Sequence, residues 1–302
     1  MKCTIFVLFL LLLVFGQASA QHQHSSTIAS RPVSLMPGLG DLHHPVSTKN
    51  PLAQQFFDQG LTLVYAFNHE EAIRSFKRAA ELDPQFAMAY WGIALALGPN
   101  INMDVDAGRE NAAYQAVQKA LSLSAHAPEN ERAYISALAK RYSIDPKADL
   151  KSLAVDYKNE MGELAKRYPD DLDAATLYAE SLMDLRPWQF WSIDGKPAEG
   201  TEEIIAVLES VLKRDPRHIG ANHYYIHTVE ASPHPEWALA SAQRLKTLAP
   251  AAGHLVHMPA HIFARVGDYD TAAQSNIDGA AADLAYFKNN GVQGMYPVMY
   301  YP

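Results

Sequence analysis

Two short stretches concentrate the ligand chemistry of this chain: HYYIHTVE, from His223 to Glu230, and HLVHMPAH, from His254 to His261. The first sets His223, His227 and Glu230 at i, i+4 and i+7; the second sets His254, His257 and His261 at i, i+3 and i+7. At 3.6 residues per turn, each set falls along one stripe of a helix. His223 and His257 are 34 residues apart, and so are His227 and His261. An interval of that size predicts repeats whose equivalent positions lie side by side. Crowded imidazoles oppose one another once protonated, whereas their neutral nitrogens are donors to divalent metals. These five histidines and Glu230 are therefore expected to form one metal-centred site, with His227, His257 and His261 most central. Six candidates exceed the needs of one tetrahedral ion, so either two ions bind or some residues orient ligands and touch substrate. Nitrogen and oxygen donors suit zinc, copper or non-haem iron. The HExxH helix of zinc proteases is absent, which leaves proteolysis unsupported.

The chain has 302 residues, 48% of them hydrophobic, and a formal charge of −8. That length can bury one large core or two ordinary ones. The acidic balance, without a lysine or arginine cluster, gives no footprint for nucleic acid. Residues 1–20 read as a signal peptide, with Lys2, an apolar run from Thr4 to Gly16 and an Ala18-Ser19-Ala20 cleavage site. The apolar run is too short to span a membrane, so an exported protein, periplasmic or secreted, with no span after cleavage is expected. The only cysteine, Cys3, lies in that segment, which excludes disulfides and thiolate ligands from the mature chain.

The elements that must carry the histidines are all helical. Residues 21–50 are expected to be a flexible lead-in, rich in Ser, Thr, Pro and Gly, that carries His22, His24, His43 and His44. The last two lie close enough to the first helix to fold back over it. From Pro51 onward helix formers dominate and no period-two run appears. Phe56, Gly60, Ala72, Phe76, Ala79 and Pro84 occur at the spacing of a helix–turn–helix unit in which small residues let two helices approach. Later pairs are looser and end at Pro169, Pro216 and Pro250; a long aromatic loop, RPWQFWSIDGKP, interrupts them at Arg186–Pro197. Its Trp188 and Trp191 would either cover the histidine site as a lid or plug the insertion.

These residues resemble the tetratricopeptide repeat, and the FNHEEA, RPW, HYYIH and HMPAH stretches resemble a group of exported bacterial proteins of that family. The resemblance implies an all-α solenoid of antiparallel helix pairs over residues 51–302, continuing in its relatives beyond the C-terminus seen here. It also implies a concave groove. Carried over by position, His223, His227 and Glu230 face that groove, as do His254, His257 and His261 on the next repeat and Glu180 and Asp184 on the preceding one. His69 opens the second helix, where capping or a surface role is the simpler reading; with Glu180, Asp184 and Trp188 it could also support ligands or substrate. Two functions follow as expectations. One is a binding scaffold that takes a peptide, protein or small molecule in the groove beside a divalent metal. The other is a metal-dependent oxidoreductase or hydrolase using the same site.

Overall fold

Short polar side chains start several of the helices. Asn50 accepts from the amides of Leu52 and Ala53 at the start of α1 (Pro51–Tyr65), and Asn68 caps α2 (His69–Leu82) through Glu71. Asp106, Asp149 and Asp171 do the same for α4 (Ala107–Leu123), α6 (Leu150–Arg167) and α7 (Leu172–Met183). Each satisfies amides that the helix itself leaves unpaired. Between these lie α3 (Ala87–Leu97) and α5 (Glu129–Ala139), and after them come α8 (Thr201–Arg214), α9 (Ile219–Val229) and α10 (Leu239–Leu248). The C-terminal part comprises α11 (Gly253–His257), α12 (Pro259–Arg265), α13 (Tyr269–Asn290) and α14 (Tyr296–Met299).

This computed structural model describes residues 32–291 and 294–301; the signal-peptide segment, His22 and His24 lie outside them. The described chain is all-helical, with two isolated bridges and no β-strand. Sequence-adjacent helices pack on one another, and α1 also meets α3 and α9. No described helix is long and apolar enough to cross a membrane.

The core begins where α1, α2 and α3 meet, around Phe57, Phe76, Phe86 and Trp91. A Cβ on Gly60 would sit 2.6 Å from the Phe76 ring, so the missing side chain is what lets α1 and α2 close on it. Burying one such ring is worth roughly 1.5–3 kcal/mol.

From Val33 the expected lead-in is laid against the helices. Met36 donates its amide to Gln59, Ser47 bonds Glu131 through both backbone and side chain, and Thr48 donates to Asp83. His44 is buried, its Nδ1–H on Asp173 Oδ2 at 2.8 Å. Asp173 Oδ1 also accepts from the Tyr65 hydroxyl at 2.6 Å and faces His218 Nε2 at 3.2 Å. His218 in turn caps α9, since its Nδ1 accepts from the Ala221 amide. One carboxylate thus ties the lead-in, α1, α7 and the start of α9 together.

Candidate metal centre

α9 presents His223 and His227 one turn apart, and Glu230 follows as its C-terminal cap. The second histidine run is not one straight helix. Proline has no amide to continue the ladder, so the segment divides at Met258–Pro259 into α11 and α12. The His257 and His261 rings still meet, with centroids 4.9 Å apart.

Ring hydrogen bonds assign the tautomers. His223 Nδ1 lies 2.6 Å from the Tyr65 carbonyl, which can only accept, so that nitrogen carries the proton. His227 Nδ1–H donates to Glu230 Oε1 at 2.8 Å, and His261 Nδ1–H donates to the other oxygen of the same carboxylate. His257 Nδ1–H donates to Asn276 Oδ1 at 2.7 Å. In four neutral imidazoles the lone pair is therefore on Nε2. His223 Nε2 faces His254 Nε2 at 3.1 Å, His257 Nε2 faces His261 Nε2 at 3.0 Å, and His227 Nε2 is buried with no hydrogen-bond partner. His254 Nδ1 is likewise unpartnered.

Burial pushes His223 and His254 well below the ordinary imidazole range, and the neighbouring histidines add to it. Burial also lowers His227 and His257. Glu230 is lowered as well, but by its partners: against its burial, the bonds from His227 and His261 bring its carboxyl down to about 2. The set is imidazole nitrogen around a fixed carboxylate, donor chemistry that suits zinc, copper or iron. Ligand atoms of His223, His227 and His254 all lie within 4.8 Å of one another.

The walls come from outside the two histidine runs. Phe67 lies in the α1–α2 turn, and its ring meets His223, His227 and His254 at centroid distances of 4.6, 5.9 and 5.4 Å. Its φ is +56°, in the left-handed region. The Phe67 amide bonds Val64 and the Asn68 amide bonds Leu63, closing α1 with the two bonds of a Schellman turn. The α12–α13 turn repeats that pattern at Gly267 and Asp268, and there the left-handed residue is glycine, with open space where a Cβ would be. Phenylalanine at this position costs roughly 1–2 kcal/mol of backbone strain, and what it adds is a ring against three imidazoles. The other non-glycine residue with positive φ among those described is Trp188, at +61°. Its ring meets His227 edge-on at 5.2 Å while remaining half exposed. Trp191 seats the same loop by donating its Nε1–H to the Thr228 carbonyl at 2.7 Å. Both strained residues therefore bear on the imidazole whose Nε2 has no partner.

The other expected residues go elsewhere. Glu180 and Asp184 do not join the three-histidine group; they form a buried cluster with Arg141, which donates to Asp184 and stacks over Tyr157 at 4.8 Å. Burial and adjacent Asp184 push Glu180 well above the usual carboxyl range. His69 is buried rather than superficial: its Nδ1 accepts from Asn100 at 3.1 Å, and burial with Arg109 and Arg141 nearby lowers it to about 3.

No protein-family profile matches this chain, and no curated protein does.

Sequence reasoning passed over Tyr65, Phe67 and Asn276. Tyr65 acts through a backbone carbonyl, which carries no residue signature. Phe67 sits where the turn pattern asks for glycine, and that mismatch is the signal that would have found it. A second group, His44, Asp171 and Asp173, also brings ligand atoms within 4.8 Å. There the carboxylates already accept from Tyr65, Tyr134, His44 and the Ala174 amide. That network is satisfied as a structural tie.

Proposed function

We propose that this chain is a tetratricopeptide-like helical-repeat protein, exported to the periplasm or beyond, that holds a divalent transition metal through His223, His227 and His254. The observation carrying this reading is the convergence of lone pairs. Tyr65 and Glu230 take the Nδ1 protons of His223 and His227. Their Nε2 atoms are left buried, with one donor at most between them. Metal-ligating histidines are held in just this way, the far nitrogen donating to a carbonyl or carboxylate. At zinc–nitrogen bonds of about 2.0–2.1 Å, two ligand nitrogens lie about 2.9–3.4 Å apart for angles between right and tetrahedral. The His223–His254 pair already meets that spacing at 3.1 Å. In this reading the metal is a structural or regulatory element beside a site for a peptide, protein or small-molecule partner.

The test is elemental analysis of the mature protein after zinc loading and dialysis, with His227→Ala and His254→Ala beside the parent. Retained ion in the parent and loss in both variants is expected, with a fall in melting temperature in step with that loss. A parent that retains no metal and melts at the same temperature with or without zinc would sink the metal reading.

A metal-dependent enzyme is the second reading, and one observation favours it. Three histidines leave a tetrahedral ion one open position, and half-exposed Trp188 is the group beside His227 on the solvent side. In the cobalt-substituted protein, a change in the visible spectrum on adding azide would support an open position. An unaltered spectrum would favour the structural role.

A further inference from the structure

We propose that His257 and His261 form a second metal position, reached from solvent and joined to the buried triad through Glu230. This rests on the metal reading of the triad and adds a second ion with different accessibility.

The pair repeats the donor logic of the triad with different acceptors. His257 Nδ1–H is taken by Asn276 and His261 Nδ1–H by Glu230, so both Nε2 atoms carry lone pairs. These face each other at 3.0 Å, inside the roughly 2.9–3.4 Å span that two nitrogens adopt on one ion. Two bare lone pairs at that distance repel unless something positive lies between them. The occupant is a metal ion, or a proton carried on one Nε2, as in the tautomer where the Asn276 amide turns its NH2 to His257 Nδ1.

The pair is not an extension of the triad. The ligand atoms grouped within 4.8 Å are those of His223, His227 and His254 alone, without His257 or His261. Exposure separates them too. His223, His227 and His254 are at most 5% exposed, whereas the His261 side chain is 28% exposed and His257 is only partly covered. Two protein nitrogens leave the rest of the coordination sphere to water, so an ion held there exchanges faster than one in the triad. The link is direct: Glu230 Oε1 holds His227, and Oε2 holds His261. The close approach of α13 that brings Asn276 to His257 depends on Gly279, where a Cβ would come within 2.9 Å of His257 Cβ.

Calorimetric titration of the metal-free, full-length protein with zinc distinguishes the two occupants. Two ions per parent chain and one per His257→Ala chain are expected, with the weaker step missing in the variant. Asn276→Ala, which removes only the acceptor, is expected to weaken that step about tenfold or more and leave the tighter one within twofold. It serves as the second variant should His257→Ala melt early without metal. One ion in both parent and variant would mean that the pair shares a proton, overturning this proposal while the triad stands. Two ions in both would place the second ion elsewhere, which also overturns it. No ion in either would overturn the triad reading itself.

Discussion

Replacing Glu230 by glutamine changes no heavy-atom shape and should nevertheless unsettle the proposed metal site. In the parent chain both carboxylate oxygens accept, one from His227 Nδ1–H and the other from His261 Nδ1–H. A glutamine offers one accepting oxygen and one donating NH2. The imidazole facing the NH2 must accept at Nδ1, so its proton moves to Nε2 and that ring ceases to be a ligand through Nε2. Lost charge-assisted bonding to the remaining ring is worth about 1.5–3 kcal/mol. Loss of such an outer partner ordinarily weakens metal affinity about 10–100-fold, or roughly 1.4–2.7 kcal/mol, so the two figures agree. The assay is competition for zinc against a chromophoric chelator, run beside thermal melts of the metal-free proteins to show that the fold is kept. A Glu230→Gln affinity within twofold of the parent would refute the assignment of tautomers by Glu230.

Two further perturbations test the frame around the site. Asp173→Asn removes the charge that holds His44 and His218, and unpairing a buried ion pair costs on the order of 3 kcal/mol, measurable as a lower urea midpoint at an unchanged slope. Its effect should depend on pH: despite its burial, bonds from His218 and His44 hold Asp173 far below 3.8, so its stabilisation is present above that pH and lost on acidification. His44 is raised above 6.5 by Asp173 despite its burial, so its share is present below 6.5 and lost as pH rises through the raised value. The Asp173→Asn deficit should therefore be largest between about pH 4 and 6.5, and a deficit that is flat from pH 4 to 9 would contradict this. Gly220→Ala would put a Cβ within 2.6 Å of the Tyr65 ring. Overpacking there should cost about 1–3 kcal/mol and, by shifting the carbonyl that His223 uses, weaken zinc binding as well. A variant as stable as the parent would show that α1 and α9 can separate freely.

Much of this arrangement is legible in residue order. Period and caps mark the helices, and Gly60 with Phe76 marks the approach of the first two. The spacing of His223, His227, His254, His257 and His261 foretells that they meet. What residue order hides is how they are held. His223 depends on a carbonyl 158 residues away, and His257 on an asparagine 19 residues on, in α13. The resemblance puts Glu180 and Asp184 beside the histidines, but they meet a buried arginine, and a charge pairs with the nearest opposite charge wherever the fold puts it. Pro259 divides a stripe that looks continuous on a helical wheel, because a pattern of side chains says nothing about a missing amide.

The contact between Tyr65 and His223 also sets an order of events. Helix pairs form from neighbours in sequence, while this hydrogen bond and the Phe67 wall must wait for the ends of a loop of more than 150 residues to find each other. Interactions completed after the rate-limiting barrier leave the speed of folding alone and slow the return journey. An ion in the triad would then act as a latch rather than a nucleus: it would lengthen the lifetime of the finished protein without hastening its formation.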